Sequence, residues 1–336
     1  MARAQLDNTY EHIISLENLL DAWQEFVKGK RGRKDVQQFE LRLMSNVLSL
    51  HNDLTARTYM HSPYEAFNIS DPKPRNIHKA SVRDRLLHHA IYRVLYPLFD
   101  KTFIAGSYSC RKGKGSHKAI DHFQSSAYQV SQNHTRTAWV LKCDIRKFFA
   151  SIDQERLIAI LGQRIPDKDI LWLLSQIVHS FYTREEGIGL PLGNLTSQLL
   201  VNVYMNEFDQ FVKQWLKVKH YVRYADDFVF LSHNREWLLE LLPYIVVFLR
   251  ERLTLELHPD KVSISTAAAG IDFLGWVHFP DHRTLRTSTK RRMLKVLRGN
   301  PKEEILASYR GMLSHGNAHK LSMLIPEHAA DYGEMA

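Results

Sequence analysis

Residues 221–231 read Tyr221-Val222-Arg223-Tyr224-Ala225-Asp226-Asp227-Phe228-Val229-Phe230-Leu231. Runs rich in β-branched and aromatic residues on both sides of a short break predict a β-hairpin whose tip holds Asp226 and Asp227. Adjacent carboxylates repel each other, so a buried tip of this kind usually has a cation that neutralises it. Aspartate is also an ordinary turn residue, and a solvated turn is the alternative at this point.

A third carboxylate, Asp144, follows a mostly apolar run at 137–143 that predicts a buried strand. Asp144 could simply cap the next helix, but the segment Ser151-Ile152-Asp153-Gln154-Glu155 provides a better helix start. If Asp144 lies beside the hairpin tip, three carboxylates meet at strand ends. Such a cluster can hold two magnesium ions about 4 Å apart, which stabilise both oxygens of an in-line phosphoryl transfer.

The composition indicates a large globular protein with a polyanionic partner. The chain has 336 residues, 44% of them hydrophobic, and a formal net charge of +9. The longest apolar run, Leu241 to Leu249, contains a proline and is too short to cross a bilayer, so no membrane partner is expected. The N-terminal residues have no signal-peptide core, and the two cysteines form no disulfide framework. We therefore expect a reducing, cytoplasmic location.

The tetrad Tyr224-Ala225-Asp226-Asp227 resembles the signature of reverse transcriptases, and Asp144 to Phe149 resembles their segment around the first catalytic aspartate. The resemblance extends over nearly the whole chain. It implies an α+β, right-hand polymerase fold with fingers, a palm with an antiparallel sheet and a helical thumb. It also implies a catalytic trio, Asp144, Asp226 and Asp227. The implied ligands of two Mg²⁺ ions, with Mn²⁺ as a substitute, are Asp144, Ile145, Asp226 and Asp227.

The expected organisation follows from the same resemblance and from the helical patterns. We predict helices at His12–Val27 and Val36–Leu54, a core-facing helix near 82–98, and another after Ser197. The expected divisions are N-terminal helices with a basic loop at 1–60, fingers at 61–136, a palm at 137–280 with a helical insertion near 155–185, and a helical thumb at 281–336.

Four residues match positions that contact the incoming nucleotide in the family. Lys73 and Arg75 match a pair that clamps the triphosphate, and Lys261 matches a lysine near it. Phe149 lies five residues after Asp144, at the position of the ribose gate, where a flat aromatic ring would clash with a 2′-hydroxyl. Ordinary core packing is the alternative for Phe149, and a surface lysine is the alternative for Lys261.

The loop before the predicted helix at 199 departs from the common pattern. Most reverse transcriptases have Gln-Gly, three residues and Ser-Pro, whereas this chain has Leu192-Gly193, three residues and Ser197-Gln198. This substitution is typical of reverse transcriptases from diversity-generating retroelements. The resemblance therefore implies error-prone copying of a template-repeat RNA, with errors at adenines, and a small basic helical accessory protein as partner. Leu192, Gly193 and Gln198 are expected to contact the nucleotide.

Three basic segments are candidates for contact with template RNA and cDNA. They are a loop at 28–34, a glycine-rich loop at 103–117 and an amphipathic basic helix at 283–298. A solvated loop is the alternative for the first, and membrane-surface binding would fit the last taken alone. A hairpin near 270–276 resembles the primer grip. The candidate residues are Lys30, Arg31, Arg33 and Lys34; Arg111, Lys112 and Lys114; Lys290, Arg291, Arg292 and Lys295; and, in the primer grip, Phe273, Leu274 and Gly275.

The sequence thus predicts an RNA-directed DNA polymerase that takes deoxynucleoside triphosphates, copies an RNA and releases pyrophosphate. Two alternatives remain open. One is a polymerase-fold protein of a defence system that makes untemplated DNA, which an assay with and without template would distinguish. The other is a nucleic-acid-binding protein without chemistry, which would have no need of all three carboxylates.

Overall fold

The computed structural model describes residues 9–70, 74–183, 185–299 and 301–325. Lys73, expected near the triphosphate, lies outside this described part. Within it, no helix is both long and apolar enough to cross a membrane.

The helices and strands fall into three groups along the chain. The N-terminal part contains α1 (Thr9–Ile14), α2 (Leu16–Val27), α3 (Lys34–Glu40), α4 (Leu43–Thr55), β1 (Glu65–Ile69), β2 (Arg75–Lys79), α5 (Val82–Asp100) and α6 (Ser116–Val130). The central part contains β3 (Trp139–Asp144), α7 (Gln154–Gly162), α8 (Lys168–Val178), α9 (Leu195–Gln210), β4 (His220–Tyr224), β5 (Asp227–Ser232), α10 (Arg235–Leu253) and β6 (Ser263–Thr266). The last part contains β7 (Ile271–Phe273), β8 (Trp276–His278), β9 (Arg283–Leu285), α11 (Thr287–Leu297), α12 (Glu303–Leu313) and α13 (His319–Ser322).

The central sheet has the strand order β4-β5-β3-β6, and every neighbouring pair is antiparallel. The predicted hairpin is confirmed, since β4 and β5 pair from His220–Leu231 to Tyr224–Asp227 and leave only Ala225 and Asp226 in the turn. The strand predicted before Asp144 is also confirmed as β3. β1 and β2 form a separate two-stranded hairpin, and β7, β8 and β9 form a third sheet.

The two faces of the central sheet are buried against two different apolar cores. Because successive side chains of a strand point to opposite faces, Leu141, Phe228 and Phe230 join a large core with the N-terminal helices, α5, α9 and α10. Val140 and Leu231 point the other way, into a smaller core with α6, the β7–β9 sheet and the C-terminal helices. A sheet buried on both faces has little freedom to change its register.

Both N-terminal helices predicted from periodicity are divided in the structure. The first breaks at Ser15, whose backbone is not helical and whose hydroxyl accepts a hydrogen bond from the Asn18 amide, as an N-cap does. The second breaks at Leu41 and Arg42, where the Asn46 side chain donates to the carbonyl of Phe39. An apolar period continues across such breaks, so periodicity alone does not reveal them.

The basic helix predicted at 283–298 begins later than expected. Residues Arg283–Leu285 instead form β9, which pairs with β8 so that Leu285 lies opposite Trp276. Leu285 is buried in the smaller core, and the helix α11 starts only at Thr287. The tertiary pairing with β8 has therefore overridden the helical pattern of this segment.

Candidate active site

One large cleft, with a cavity of about 1470 Å³, runs between the three sheets and α11. The hairpin tip and the end of β3 form its floor. Strand β2, the loop before α9, the β7–β8 turn and one side of α11 form its walls. The cleft is therefore the place where the predicted catalytic, nucleotide and primer segments meet.

The three carboxylates lie together on the floor because of strand pairing. Asp144, the last residue of β3, lies directly opposite Asp227, the first residue of β5. The amide of Ile145 donates to the carbonyl of Asp226 at 3.1 Å, which fixes the turn against the end of β3. The side chain of Ile145 is buried in the core, so its part in any ligand set would be a backbone one.

Two lysines pair with two of these carboxylates. Nζ of Lys261 lies 2.8 Å from Oδ1 of Asp144. Nζ of Lys142 lies 3.6 Å from Oδ2 of Asp227 and also donates to the carbonyl of Asp272, in β7. Lys142 was not among the predicted site residues. Its position two residues before Asp144 was the available signal, since residues two apart on a strand share a face.

Burial changes the acidity of the tip. The pKa of Asp227 is raised from 3.8 to about 6, mainly by burial; the charges of Asp144 and Asp226 add to the shift, and Lys142 opposes it. Burial, with the charge of Asp144, also raises the pKa of Asp226 above its ordinary value. Both shifts mean that negative charge at the tip is only partly compensated by the protein.

The residues present fit a magnesium centre by their chemistry. Carboxylate oxygens are the ligands that magnesium prefers, and Oδ1 of Asp227 is buried with no hydrogen-bond partner among the described residues. In the described part of the chain, however, no three acidic, histidine or cysteine side chains are already arranged to hold a metal ion together. Asp144 and Asp227 face lysines instead, so metal binding would require at least Lys261 to release its carboxylate.

The residues expected at the nucleotide line this same cleft where they are described. They are Arg75, Phe149, Leu192, Gly193, Gln198 and Lys261. Gly193 has φ +109°, and a Cβ on it would meet the Ile77 side chain at 3.0 Å. Glycine is therefore required there by the backbone conformation and by the close approach of β2. Two hydrogen bonds hold this contact, from the His78 amide to the Leu192 carbonyl and from the Asn194 side chain to the His78 carbonyl.

The segments expected to form the primer grip and the thumb also reach the cleft. Leu274 and Gly275, in the β7–β8 turn, line it, as do Arg291, Arg292 and Lys295 of α11. Phe273 is fully buried in the smaller core, so its role is to anchor the turn. Lys290 is exposed and does not belong to the residues that line the cleft. The basic helix thus presents one part of its cationic surface to the cleft.

The expectation for Arg111, in the glycine-rich loop, is corrected. The Arg111 side chain is only 6% exposed, and its guanidinium pairs with Asp100 at 2.7 Å and donates to the carbonyls of Ile104 and Ser107. Arg111 is therefore a structural residue that holds its own loop. Lys112 and Lys114 lie over tyrosine rings and outside the cleft lining.

The N-terminal basic loop is divided between two environments. Lys30 and Arg33 line a second cavity of about 400 Å³, together with Phe67 of β1 and Ile77 of β2. Arg31 does not line that cavity and pairs loosely with Glu40 on the surface. Lys34, the first residue of α3, is exposed and also lies outside it. Nothing in the local sequence distinguishes these four cations from one another.

Comparison with known proteins agrees with this geometry. The family model described as reverse transcriptase (RNA-dependent DNA polymerase) matches residues 70–278, which is more than half of the chain. The chain belongs to the reverse transcriptase family. The matched range begins directly after β1 and ends with β8, and it contains the three carboxylates and the loop before α9.

Several relatives of this reverse transcriptase are bacterial or intron-encoded. Protein YkfC of Escherichia coli is 25% identical over 304 residues, which are 79% of this chain and 78% of YkfC. The group II intron-encoded protein LtrA of Lactococcus lactis is 22% identical over 312 residues, covering 71% of this chain but 50% of LtrA. A putative COX1/OXI3 intron 1 protein of Saccharomyces cerevisiae is 25% identical over 177 residues, 50% of this chain and 20% of that protein. The match thus spans half or less of both intron proteins.

Solved telomerases share the fold. Telomerase from Candida albicans, in complex with a TWJ fragment of telomeric RNA, has a TM-score of 0.51 at 11% identity, covering 77% of this chain and 55% of its own. A truncated apo telomerase from Candida tropicalis has a TM-score of 0.50 at 12% identity, covering 72% of this chain and 60% of its own. The predicted right-hand polymerase fold of the α+β class is thereby confirmed.

The raised pKa of Asp227 predicts a pH-dependent stability of the metal-free reverse transcriptase. The folded state prefers the protonated carboxyl, so ionisation of Asp227 lowers the free energy of unfolding. This loss is absent below about pH 4, grows up to the folded pKa of about 6 and is constant above it. A shift from 3.8 to about 6 corresponds to about 3 kcal/mol. Asp227→Asn should therefore match the parent at pH 4 and exceed its free energy of unfolding by up to about 3 kcal/mol at pH 7.

Denaturant unfolding of both proteins in the presence of a chelator measures this difference. Titrating groups that do not interact with Asp227 contribute equally to parent and variant, so they cancel in the comparison. The interactions of Asp227 with Asp144, Asp226 and Lys142 are part of the measured difference. A stability difference that is the same at pH 4 and pH 7 would contradict the expectation.

Proposed function

We propose that this reverse transcriptase makes cDNA by two-metal nucleotidyl transfer at Asp144, Asp226 and Asp227. The observation that supports this most directly is the pairing of Asp144 with Asp227 on the floor of a cleft that also contains Arg75 and Lys261. An acidic floor with cations on its wall fits a triphosphate whose charge is shared between metal ions and basic side chains.

Each residue has a separate task in the proposed reaction. Asp144, Asp226 and Asp227 would hold two magnesium ions, which supply stabilisation for the attacking and leaving oxygens of the phosphoryl transfer. Arg75 and Lys261 bind the triphosphate, so Lys261 exchanges the carboxylate of Asp144 for a phosphate. Phe149 forms part of the wall beside this position and excludes a 2′-hydroxyl.

Asp226→Asn should abolish DNA synthesis, because the amide keeps the shape of the side chain but removes the charge of a metal ligand. The fold and the affinity for RNA should change little. Primer extension with magnesium measures synthesis, and a filter-binding assay measures RNA affinity. Incorporation at a rate close to that of the parent would exclude the two-metal assignment.

We further propose that the second cavity guides the unpaired part of the template. Gly193 and Gln198 line both this cavity and the catalytic cleft, so the two spaces are neighbours across one loop. Lys79 and Arg85 also line it but already pair with Asp35, at 2.9 and 2.6 Å. Lys30 and Arg33 have no carboxylate partner among the described residues, although Nζ of Lys30 donates to the Phe26 carbonyl at 2.8 Å, so their charges remain for phosphates.

The inner wall of this cavity suits a base. His88 is 1% exposed, and neither ring nitrogen has a hydrogen-bond partner among the described residues. Burial lowers the pKa of His88 well below 6.5, so the ring is neutral and adds no charge to this wall. Phe67 is half-exposed at the mouth of the cavity and can stack on a base.

The proposed path of the template through the second cavity predicts different effects for two pairs of cations in the loop at 28–34. Replacing Lys30 and Arg33 by alanine should weaken binding to a primed RNA template and lower the log–log salt slope by about 0.7 for each phosphate that is no longer neutralised. The matched control replaces Arg31 and Lys34, which removes the same charge outside the cavity and should leave the slope nearly unchanged. Equal effects of the two double variants would mean that the loop acts only through its net charge.

We propose that this reverse transcriptase belongs to the subtype found in diversity-generating retroelements, which copies a template-repeat RNA with errors at adenines. The support is the pair Leu192 and Gln198, both of which line the catalytic cleft. Leucine offers only apolar contact where the common pattern has an amide, and Gln198 is a flexible polar side chain in place of a proline ring. A small basic helical accessory protein and a cytoplasmic location belong to the same proposal.

Leu192→Gln, alone or with Gln198→Pro, should reduce misincorporation opposite template adenine more than opposite other bases. An added hydrogen bond that positions the nucleotide is worth about 1 kcal/mol, and the adenine–thymine pair has only two hydrogen bonds with which to offset poor alignment. Sequencing of cDNA made on one template by parent and variants measures the error rates. An unchanged adenine error rate with retained activity would locate the infidelity outside this loop. Omitting the template from the same reaction tests for untemplated synthesis.

A further inference from the structure

A buried ion pair lies beneath the catalytic turn. Arg223 of β4 and Asp209 of α9 are both fully buried. The guanidinium binds the carboxylate through two bonds, Nε to Oδ1 at 2.7 Å and Nη2 to Oδ2 at 2.6 Å. The Tyr221 hydroxyl donates to the same carboxylate at 2.8 Å. Arg223 is therefore fixed by α9, on the core side of the sheet.

The remaining donors of Arg223 reach the turn, a neighbouring loop and, at 3.5 Å, Oδ1 of Asn202 in α9. Nη1 donates to the carbonyl of Ala225 at 3.1 Å, and Nη2 donates to Oγ of Ser107 at 3.0 Å. The loop lies flush against β4, because the Arg223 amide donates to the Gly106 carbonyl and a Cβ on Gly106 would meet the Tyr221 carbonyl at 2.5 Å. One side chain thus joins the turn, α9 and this loop.

The turn needs such support because its backbone is strained. Ala225 has φ +56°, in the left-handed region, which costs a non-glycine residue about 1–2 kcal/mol. That conformation orients Asp226 so that its carbonyl accepts from Ile145 and its side chain lies on the cleft floor. Relaxation of Ala225 to an ordinary conformation would therefore move the ligand carboxylate away from Asp144.

A buried ion pair is a costly way to stabilise a core, since apolar residues of similar volume often do as well or better. The geometry instead suits an orienting role, because a planar guanidinium held by a bidentate carboxylate has its remaining donors fixed in direction. We propose that Arg223, held by Asp209, is the positioning residue that keeps the Ala225 turn left-handed and so keeps Asp226 beside Asp144. This inference rests on the proposed two-metal function of that site.

Arg223→Lys is the first test, because lysine keeps the charge opposite Asp209 but cannot bind the carboxylate and the Ala225 carbonyl together. We expect kcat for nucleotide addition to fall about tenfold or more, with a weaker affinity for Mn²⁺ measured by calorimetry. Affinity for a primed template should stay unchanged, because no phosphate-binding group is removed. A kcat within about twofold of the parent would overturn the proposal.

The second substitution Ala225→Gly distinguishes positioning from general stability. Glycine adopts a positive φ without cost, so Arg223→Lys with Ala225→Gly should recover at least part of the lost kcat and of the Mn²⁺ affinity. Ser107→Ala is the matched control, since it removes a hydrogen bond from the same guanidinium without touching the turn. It should lower the Tm but leave kcat near the parent value. Absence of recovery, or a loss of kcat in Ser107→Ala equal to that of Arg223→Lys, would contradict the positioning role.

If Arg223→Lys does not fold, Arg223→Gln combined with Asp209→Asn serves instead, because it leaves no unpaired buried charge. The same losses of kcat and Mn²⁺ affinity are expected, and parental values would overturn the proposal. The parent and Asp226→Asn are assayed together with these variants. An inactive parent would contradict the proposed polymerase function, whereas an active parent with unaffected Arg223 variants contradicts only this inference.

Discussion

The antiparallel pairing of Asp144 with Asp227 is the constraint on which the rest of the site depends. Along this face of the sheet, Val140 and Leu231 form the buried end, and Lys142, Asp144 and Asp227 form the cleft end. A slip of one residue would turn the carboxylates to the opposite face. The two cores on either side prevent such a slip, so apolar packing far from the cleft fixes the positions of charged groups within it.

Electrostatics decides what this arrangement can bind. Three carboxylates on one floor repel each other, and burial makes the ionised form of Asp227 costly. Lys142 and Lys261 relieve part of that charge from within the protein. The walls add cations from β2 and α11, including Arg75 and Arg291. An acidic floor inside a basic cleft suits a polyanionic strand. The basic walls attract the phosphates of the strand, and the acidic floor can hold cations only where the reacting phosphate lies.

The site residues that could be predicted were those whose position follows from their neighbours in the sequence. A two-residue acidic break between strand-forming runs predicted the hairpin, and an apolar run ending at Asp144 predicted β3. Arg111 was misjudged because its partners, Asp100 and two carbonyls, are provided by the fold of its own loop. The start of α11 was misjudged because pairing with β8 outweighed a helical pattern at Arg283.

The sequence by itself determined the chemical character of the segments: which run forms the hairpin, which residues are acidic and which loops are basic. Only the tertiary structure decided which cations face the cleft, and it separated Lys30 and Arg33 from Arg31 in one short loop. It likewise brought Asp209 beneath the turn to hold Arg223. The physical reason is that burial and charge pairing depend on residues distant in sequence, whereas turn chemistry and strand patterns depend on neighbours.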